Sequence, residues 1–515
     1  MKQEYLYIVQ SFAPEIVLVL LALLVWAADL LLPKQNARKI LAIFAAFGSL
    51  CAAGLAAMHW IAADGIMPAF VQQALGNNPM TSAGQVLGHP GVAVWWLFAN
   101  DKFADAFKII FALAAFLVLL ISVRFPVEKY RGEFIGLLLF SAVGLMTMVN
   151  SRDLVVLFLG LELTSICLYA LVAWHKSDAR SAEAGTKYLL LGSLASAFFI
   201  YGASLLFVKY GSTNLSVLAQ ISPFTTPLAL SGLLMLLIGF GFKIAAAPFH
   251  LWAPDVYQGA PTAVSAFLST ASKAAGFAVI IRVLGMGFPA FSSQWALLIA
   301  LMAGLSLLIG NLVAVHQNNV KRMLAYSGIA QAGYLLIGVV ALGMAQAHHM
   351  DPQLGISAVI LYLFLYMVGN IGAFAITGIV EKETGHGEMT AFAGLRTRAP
   401  LLAFAMILLL LSLGGIPLLA GFAGKWFLFL SGIMQGQYAL VLLAALLSVV
   451  SIYYYLLVVK QMYIKPAEEG ATTIRVGGAA SFGLFLIVAL TLVIGCYPWP
   501  FLSLAQQTAQ ALLGM

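Results

Sequence analysis

Three lysines and one glutamate stand near the middle of long apolar runs in this chain. Lys243 lies in LLIGFGFKIAAAPFH, five residues before Pro248, and Lys425 closes GGIPLLAGFAGK, eight residues after Pro417. Lys273 ends TAVSAFLSTASK, and Glu162 lies in FLGLELTS. A charge at mid-bilayer costs at least about 2.5 kcal/mol, so each needs a reason. One reason is a static ion pair that locks two helices. The other is proton transfer, and four charges on four different spans favour it. Desolvation favours a neutral lysine and a nearby carboxylate favours the ammonium, so a lysine whose carboxylate partner approaches and recedes can load and release a proton. Glu162 is the one carboxylate that reads as deep in a span, and Lys243 is its expected partner. Thr262, Ser265 and Ser269 precede Lys273 by eleven, eight and four residues on one helical face. Such a stripe can hold water as part of a proton wire, or can simply let helices pack closely. Pro248 and Pro417 should each interrupt a helix. A broken helix is tolerated in a bilayer where it is buried in protein or lines a wet cavity.

The elements that must position these residues are membrane spans. Of 515 residues, 62% are apolar and only 9% charged, which excludes an ordinary soluble enzyme. Apolar runs long enough to cross a bilayer fall at about 13–32, 40–62, 104–123, 133–150, 154–174, 184–208, 227–250, 256–286, 293–315, 321–345, 354–380, 400–434, 437–463 and 474–496. No cleavable signal peptide is read, and continuous runs of this length exclude a β-barrel. The pI near 9.2 reads as topology rather than nucleic-acid binding. Lys34, Arg38, Lys39, Arg124, Lys129, Arg131, Lys176, Arg180, Lys187, Lys321, Arg322, Lys382, Arg396, Arg398, Lys460, Lys465 and Arg475 fall on one side. Lys2, Lys102, Lys108, Arg152, Lys209 and Arg282 fall on the side of the termini. The positive-inside rule then puts both termini outside. The stretch at about 64–103 reads as an outer loop in which GVAVWWLF would be a strand, and 381–399 reads as the main cytoplasmic loop.

The chain is self-similar. A span, a polar turn and a second span occur at 133–174 and again at 293–345, each followed by a span with a lysine beside a proline. The whole chain, 1–515, thus reads as one transmembrane domain. Its first repeat lies at about 133–286 and its second at about 293–463, with spans 1–3 and 14 flanking them. Five spans per repeat is odd, so the second copy is inverted, a common plan in ion-translocating proteins. Among the histidines, His316 in VHQNNVKRMLAYS stands at a helix end, where it could mark proton entry, relay to Lys321, or cap the helix. His250 and Asp255 read as part of an ordered turn between spans 7 and 8. Cys51, Cys167 and Cys496 are far apart, which argues against a cluster, c-type haem or structural zinc held by this chain alone.

FKIAAAPFHLWAPDVYQGAPTAVSAFLSTASKAAGF (242–277) and VKRMLAYSGIAQAGYLLIG (320–338) resemble the antiporter-like subunits of proton-pumping NADH:quinone oxidoreductase, respiratory complex I. PEIVLVLLALLVWAADLL (14–31) and FLGLELTSICLYALVAW (158–174) are similar to its N-type branch. The resemblance covers nearly the whole chain. It implies an all-α, fourteen-helix antiporter-like fold with two inverted five-helix repeats and broken helices 7 and 12. It also implies channel residues at Glu162, Lys243, Lys273 and Lys425. A lysine at 425 fits the N-type rather than the M-type branch, and the short tail after span 14 argues against the L-type. Ala263 stands where relatives often have proline, and the 64–103 loop is longer than usual. The implied function is proton translocation in a complex I membrane arm, with no cofactor on this chain. FMN, iron–sulfur clusters and quinone chemistry would reside in partner subunits. The implied partners are other membrane-arm subunits and, through them, the redox arm, with the bilayer and no nucleic acid. The implied location is a bacterial plasma membrane. The rival readings are a stand-alone Mrp-type cation/proton antiporter and a structural subunit with static ion pairs.

Overall fold

The computed structural model describes residues 8–31, 37–62, 90–122, 131–220, 227–467 and 472–514. Its membrane helices are α1 (Ala13–Leu31), α2 (Ala37–Ala62), α3 (Lys102–Ser122), α4 (Arg131–Asn150), α5 (Leu154–Val172), α6 (Ala179–Tyr210) and α7 (Pro227–Lys243). They continue as α8 (Thr262–Gly287), α9 (Ser292–Ala314), α10 (Val320–Ala347), α11 (Gln353–Thr384), α12 in two halves (Pro400–Gly414 and Ala420–Met434), α13 (Tyr438–Tyr463) and α14 (Gly478–Cys496). Among the described residues, twelve helices are long and apolar enough to span a bilayer. The other two of the fourteen expected runs are α7 and α12, the ones that carry the prolines. A fifteenth helix, α15 (Trp499–Leu513), follows. At 15 residues it is too short to join that count, and it buries Leu502, Ala505, Ala509 and Leu512 along one face.

The self-similarity read from sequence has counterparts in local structure. Asp153 caps α5 by accepting from the backbone N–H groups of Val155 and Val156, and Asn319 caps α10 by accepting from Arg322 N. Each cap satisfies donors that a helix start leaves orphaned. Asp153 also forms a β-bridge to Asn214, and Asn319 forms one to Glu388. In each case the bridge ties the loop before the second helix of a five-helix set to the loop after the third. That third helix is α6 in one set and α11 in the other. Each has 32 residues and ends on a left-handed glycine, Gly211 or Gly385, where the absence of Cβ removes the steric cost. Five crossings separate α4 from α9, so the two bridges lie on opposite faces of the membrane.

The helices differ in enclosure. The apolar window of α8 is wholly buried and those of α10 and α11 are 94% buried, against 33% for α1 and α14. These three enclosed helices lie between the two interrupted ones and carry Lys273 and its neighbours. One expectation fails. GVAVWWLF lies in a helix, Pro90–Leu97, rather than a strand. Among the described residues no partner strand is present, so a helix satisfies the backbone internally, and proline is well tolerated in its first turn. Phe98 then bridges Ser151. The rest of that loop, residues 63–89, lies outside the described residues.

Candidate functional site

Both prolines mark breaks. α7 stops at Lys243, and the chain passes through Ala245 at φ 55° and a cis Ala247–Pro248 bond before the short helix Ala253–Gly259. α12 stops at Gly414, passes through Gly415 at φ 88° and Leu418 at φ 70°, and resumes at Ala420. α8 is not broken, but its turn Leu268–Ser272, just before Lys273, is a π-turn. Such wide turns are frequent at functional sites.

Lys243, Lys273 and Lys425 are all buried. Lys243 Nζ donates to Ser165 Oγ at 3.4 Å, and its stem lies 3.5 Å from where a Cβ on Gly276 would stand, one turn beyond Lys273. Ser165 follows Glu162 by three residues on one face of α5. The Glu162 carboxylate acts on Lys243 through space, yet among the described residues the two form no ion pair within 4.0 Å, and Glu162 Oε1 is buried without a hydrogen-bond partner. A cavity of about 10 Å³, lined by Ser165, Tyr169, Ser196, Gly239 and Lys243 among others, leaves room for about one water beside this lysine.

Lys273 Nζ donates to the Gly328 carbonyl of α10 and lies 5.8 Å from the Tyr366 ring centroid on α11. A Cβ on Gly328 would stand 3.4 Å from Lys273 Nζ and 3.1 Å from the Tyr366 hydroxyl. Asn370 Nδ2 donates to that hydroxyl at 3.1 Å and to Ser269 Oγ at 2.8 Å. Farther along, Ser327 pairs with the Tyr455 hydroxyl, Tyr362 donates to Gln331 Oε1, and Gln331 Nε2 donates to the Leu413 carbonyl at 3.1 Å. That carbonyl is one residue before the α12 break. Lys425 Nζ donates to the carbonyl of Gly414 at 3.0 Å and to Ser448 Oγ at 2.9 Å, with its ammonium 4.5 Å from the Tyr334 ring centroid. A buried series of polar side chains thus runs from Lys273 to Lys425 through α10, α11 and α13. Sequence reading missed it. Its signal was Tyr362, Tyr366 and Asn370 at four-residue spacing, and Ser327, Gln331 and Tyr334 at spacings of four and three, inside apolar runs.

The other expected residues are placed differently. His316 is exposed, and its ring meets the carbonyl of Leu312, on its own helix. Lys321 is buried, lies 3.0 Å from Glu381 Oε1 and donates to the Ala260 carbonyl at 3.3 Å. The two are not brought together, because the turn at 316–319 lets α9 end with His316 facing out while Lys321 enters α10. Of the hydroxyl stripe, Thr262 donates to Glu381 Oε2 at 2.6 Å, Ser265 to the Tyr257 carbonyl at 2.8 Å, and Ser269 accepts from Asn370. His250 and Asp255 do lie in the ordered stretch between α7 and α8. Asp255 receives Lys187 at 2.6 Å and also pairs with Arg322. Burial pushes its carboxyl up, but these two cations outweigh that and hold it below the usual range.

Two buried ion pairs were not foreseen. Lys108, counted among the outer loop residues, is fully buried in α3, 2.9 Å from Glu15 of α1. Glu162 is therefore not the one enclosed carboxylate. Arg282, counted with the same loops, is buried and grips Asp101 with two hydrogen bonds of 2.7 and 2.8 Å. Burial would raise the Asp101 carboxyl, and the Arg282 guanidinium brings it below the ordinary value.

Residues 151–451 match the family model described as NADH:quinone oxidoreductase/Mrp antiporter, TM. The chain is 40% identical over 507 residues to NADH-quinone oxidoreductase subunit N of Desulforamulus reducens, covering 97% of this chain and 98% of the relative. It superposes on a chain of respiratory complex I from Thermus thermophilus with a TM-score of 0.75 at 31% identity, covering 96% of this chain and 99% of the other. A chain of the Mrp complex from Dietzia sp. superposes with a TM-score of 0.81, covering 98% and 97%, but at 20% identity that likeness concerns the fold alone.

Proposed function

The chain belongs to the NADH:quinone oxidoreductase/Mrp antiporter membrane family, and from that premise we propose how it moves protons as a membrane-arm subunit of a complex I-type oxidoreductase. Lys243, Lys273 and Lys425 take up and pass on protons, and Glu162 modulates Lys243. The observation that carries this reading is the buried polar series joining Lys273 to Lys425 between two interrupted helices, with Lys243 packed one turn away. Static pairing explains it less well, because none of the three lysines has a carboxylate within 4.0 Å among the described residues. A buried ammonium without a counter-ion is expensive to hold. A group that alternates between ammonium and amine escapes that cost for part of each cycle.

Flavin, iron–sulfur and quinone chemistry belong to partner subunits in this reading, and neighbouring membrane-arm subunits transmit the energy of quinone reduction. The two repeats are assigned to about 133–286 and 293–463. The loops carrying most of the basic residues face the cytoplasm of a bacterium, and both termini face outward, as the positive-inside rule favours.

Lys243→Ala tests the reading in the assembled complex. NADH-driven proton pumping and coupled quinone reduction should fall about tenfold or more while the complex remains assembled. Undiminished pumping by an assembled Lys243→Ala complex overturns the assignment.

A further inference from the structure

At the end of the hydroxyl stripe, three polar groups from three separate elements meet, with a histidine within electrostatic range. Glu381, near the C-terminus of α11, lies 3.0 Å from Lys321 of α10 through one oxygen and accepts from Thr262 of α8 at 2.6 Å through the other. His175, in the turn after α5, feels the charges of both Lys321 and Glu381. Lys321 and Thr262 are buried, whereas the Glu381 side chain keeps 29% of its surface and His175 is half-buried. The cluster thus faces water on one side and begins the stripe that leads to Lys273 on the other. Below Thr262 stand Ser265, Ser269 and Asn370, all fully buried. Asn370 Oδ1 has no hydrogen-bond partner. A fully buried acceptor left open between Ser269 and Tyr366 is an anomaly in a merely structural network, and it suits a transient water or hydronium.

We propose that Glu381 is the proton-loading group for Lys273, with His175, within electrostatic range, as the relay from water. This rests on the proton-translocating reading above and puts its entry point at Glu381 rather than His316. A proton leaves hydronium, which becomes water, and adds to the Glu381 carboxylate. Thr262 then accepts that proton on its oxygen and releases its own hydroxyl hydrogen into the stripe. Repeated hops, with water between hydroxyls that do not touch, end when a neutral Lys273 amine becomes an ammonium. Every hydroxyl finishes with one hydrogen, so the net change is one proton moved inward. Lys321 positions the carboxylate. The charged and titratable neighbours are Lys321 on α10, His175 and Asp178 beyond α5, and Lys382 and Glu383 on α11 itself. Burial pulls the His175 imidazole below its ordinary value, while Asp178 draws it back up, so it is largely neutral at pH 7 and free to accept.

The test uses the intact complex reconstituted in vesicles, with proton pumping and quinone reduction followed from pH 6 to pH 9. Glu381→Gln should slow pumping about tenfold at pH 8.5, where solvent protons are scarce, and less at pH 6. Glu381→Asp should restore most of it, and His175→Gln should give a smaller loss of the same pH form. If the pair were only structural, the neutral combination Lys321→Gln with Glu381→Gln would recover wild-type rates by removing the buried unpaired ammonium. That recovery, or an unchanged pH profile in assembled Glu381→Gln, overturns the proposal. Lys273→Ala is run alongside. If it pumps normally, the underlying reading fails as well, whereas loss in Lys273→Ala with no loss in Glu381→Gln removes only the entry site.

Discussion

The two interrupted helices put their lysines on opposite sides of the break. In α7 the helix runs up to Lys243 and stops, so the side chain leaves the last intact turn and reaches sideways to Ser165 on α5, within the field of Glu162. In α12 the lysine lies in the second half, five residues past the start of that half, and reaches back across the break to the carbonyl of Gly414, with Ser448 and the Tyr334 ring completing its surroundings. One lysine is thus governed by a full charge that a small motion can change. The other is governed by neutral dipoles, a freed backbone carbonyl and a hydroxyl, that are fixed by the break itself. A charge acts over several ångströms and a hydrogen bond only at contact. Lys243 is therefore suited to receive a signal and Lys425 to hold a steady position.

The largest expected effect tests the rigidity of the α12 break. A Cβ on Gly421 would stand 1.8 Å from the Ser412 carbonyl oxygen and 2.6 Å from its carbon, both backbone atoms that cannot swing away. Gly421→Ala should cost about 3 kcal/mol and sharply reduce the assembled subunit in membranes. Normal assembly would mean the two halves of α12 can separate, and the contrast with α7 would lose its basis. Next comes the comparison of tuning groups. Glu162→Gln should slow coupled pumping about tenfold, while Ser448→Ala, removing one neutral hydrogen bond, should cost about fivefold or less. Equal losses would erase the distinction between charge and dipole.

Smaller effects concern strain and surface pairing. Leu418 holds φ 70° with an exposed side chain, whereas Ala245 holds φ 55° in the core. Leu418→Gly should stabilise the complex by about 1 kcal/mol, the relief of a left-handed non-glycine residue, seen as a higher melting temperature. Ala245→Gly should gain less, because its buried methyl packs. The smallest effect is at Asp255. Its carboxyl is held low by Lys187 and Arg322, so its stabilising contribution is present above the ordinary carboxylate pKa and is lost as pH falls through the lowered folded value. Asp255→Asn should lower the melting temperature slightly at pH 7, by an amount that shrinks as pH falls below the ordinary carboxylate range. A deficit that does not change with pH would show that packing rather than charge binds this junction.

What sequence made legible followed from strong physical constraints. Charges in apolar runs are expensive wherever they fall, so Glu162, Lys243, Lys273 and Lys425 stood out before any packing was known. Prolines forbid a continuous helix, so both breaks were legible as well. Partnership was not, because it depends on how helices turn toward one another. Lys108 lies only six residues inside α3 and read as a loop residue until Glu15 of α1 was placed against it. Tyr362, Gln331 and Asn370 are uncharged and gave no alarm, although they carry the connection between two lysines. His316 and Lys321 are close in sequence but face different ways, whereas Glu381, sixty residues from Lys321, is the group that meets it.

The matched 32-residue helices α6 and α11 have a geometric consequence at the water boundary. A helix of that length is about 48 Å long, against a hydrocarbon layer of about 30 Å. Tilt absorbs part of the surplus, and the remainder must project. α6 begins and α11 ends on the same face, and there they carry Lys187 with Glu183 and Glu381 respectively. Their overhang works like a pair of gateposts that stand in the headgroup layer, where polar surroundings let carboxylates and amines exchange protons with solvent at little cost. With Glu381 as the proposed loading group, capture is separated in space from desolvation: the proton would be caught at the rim and give up its hydration only afterwards, on the way down.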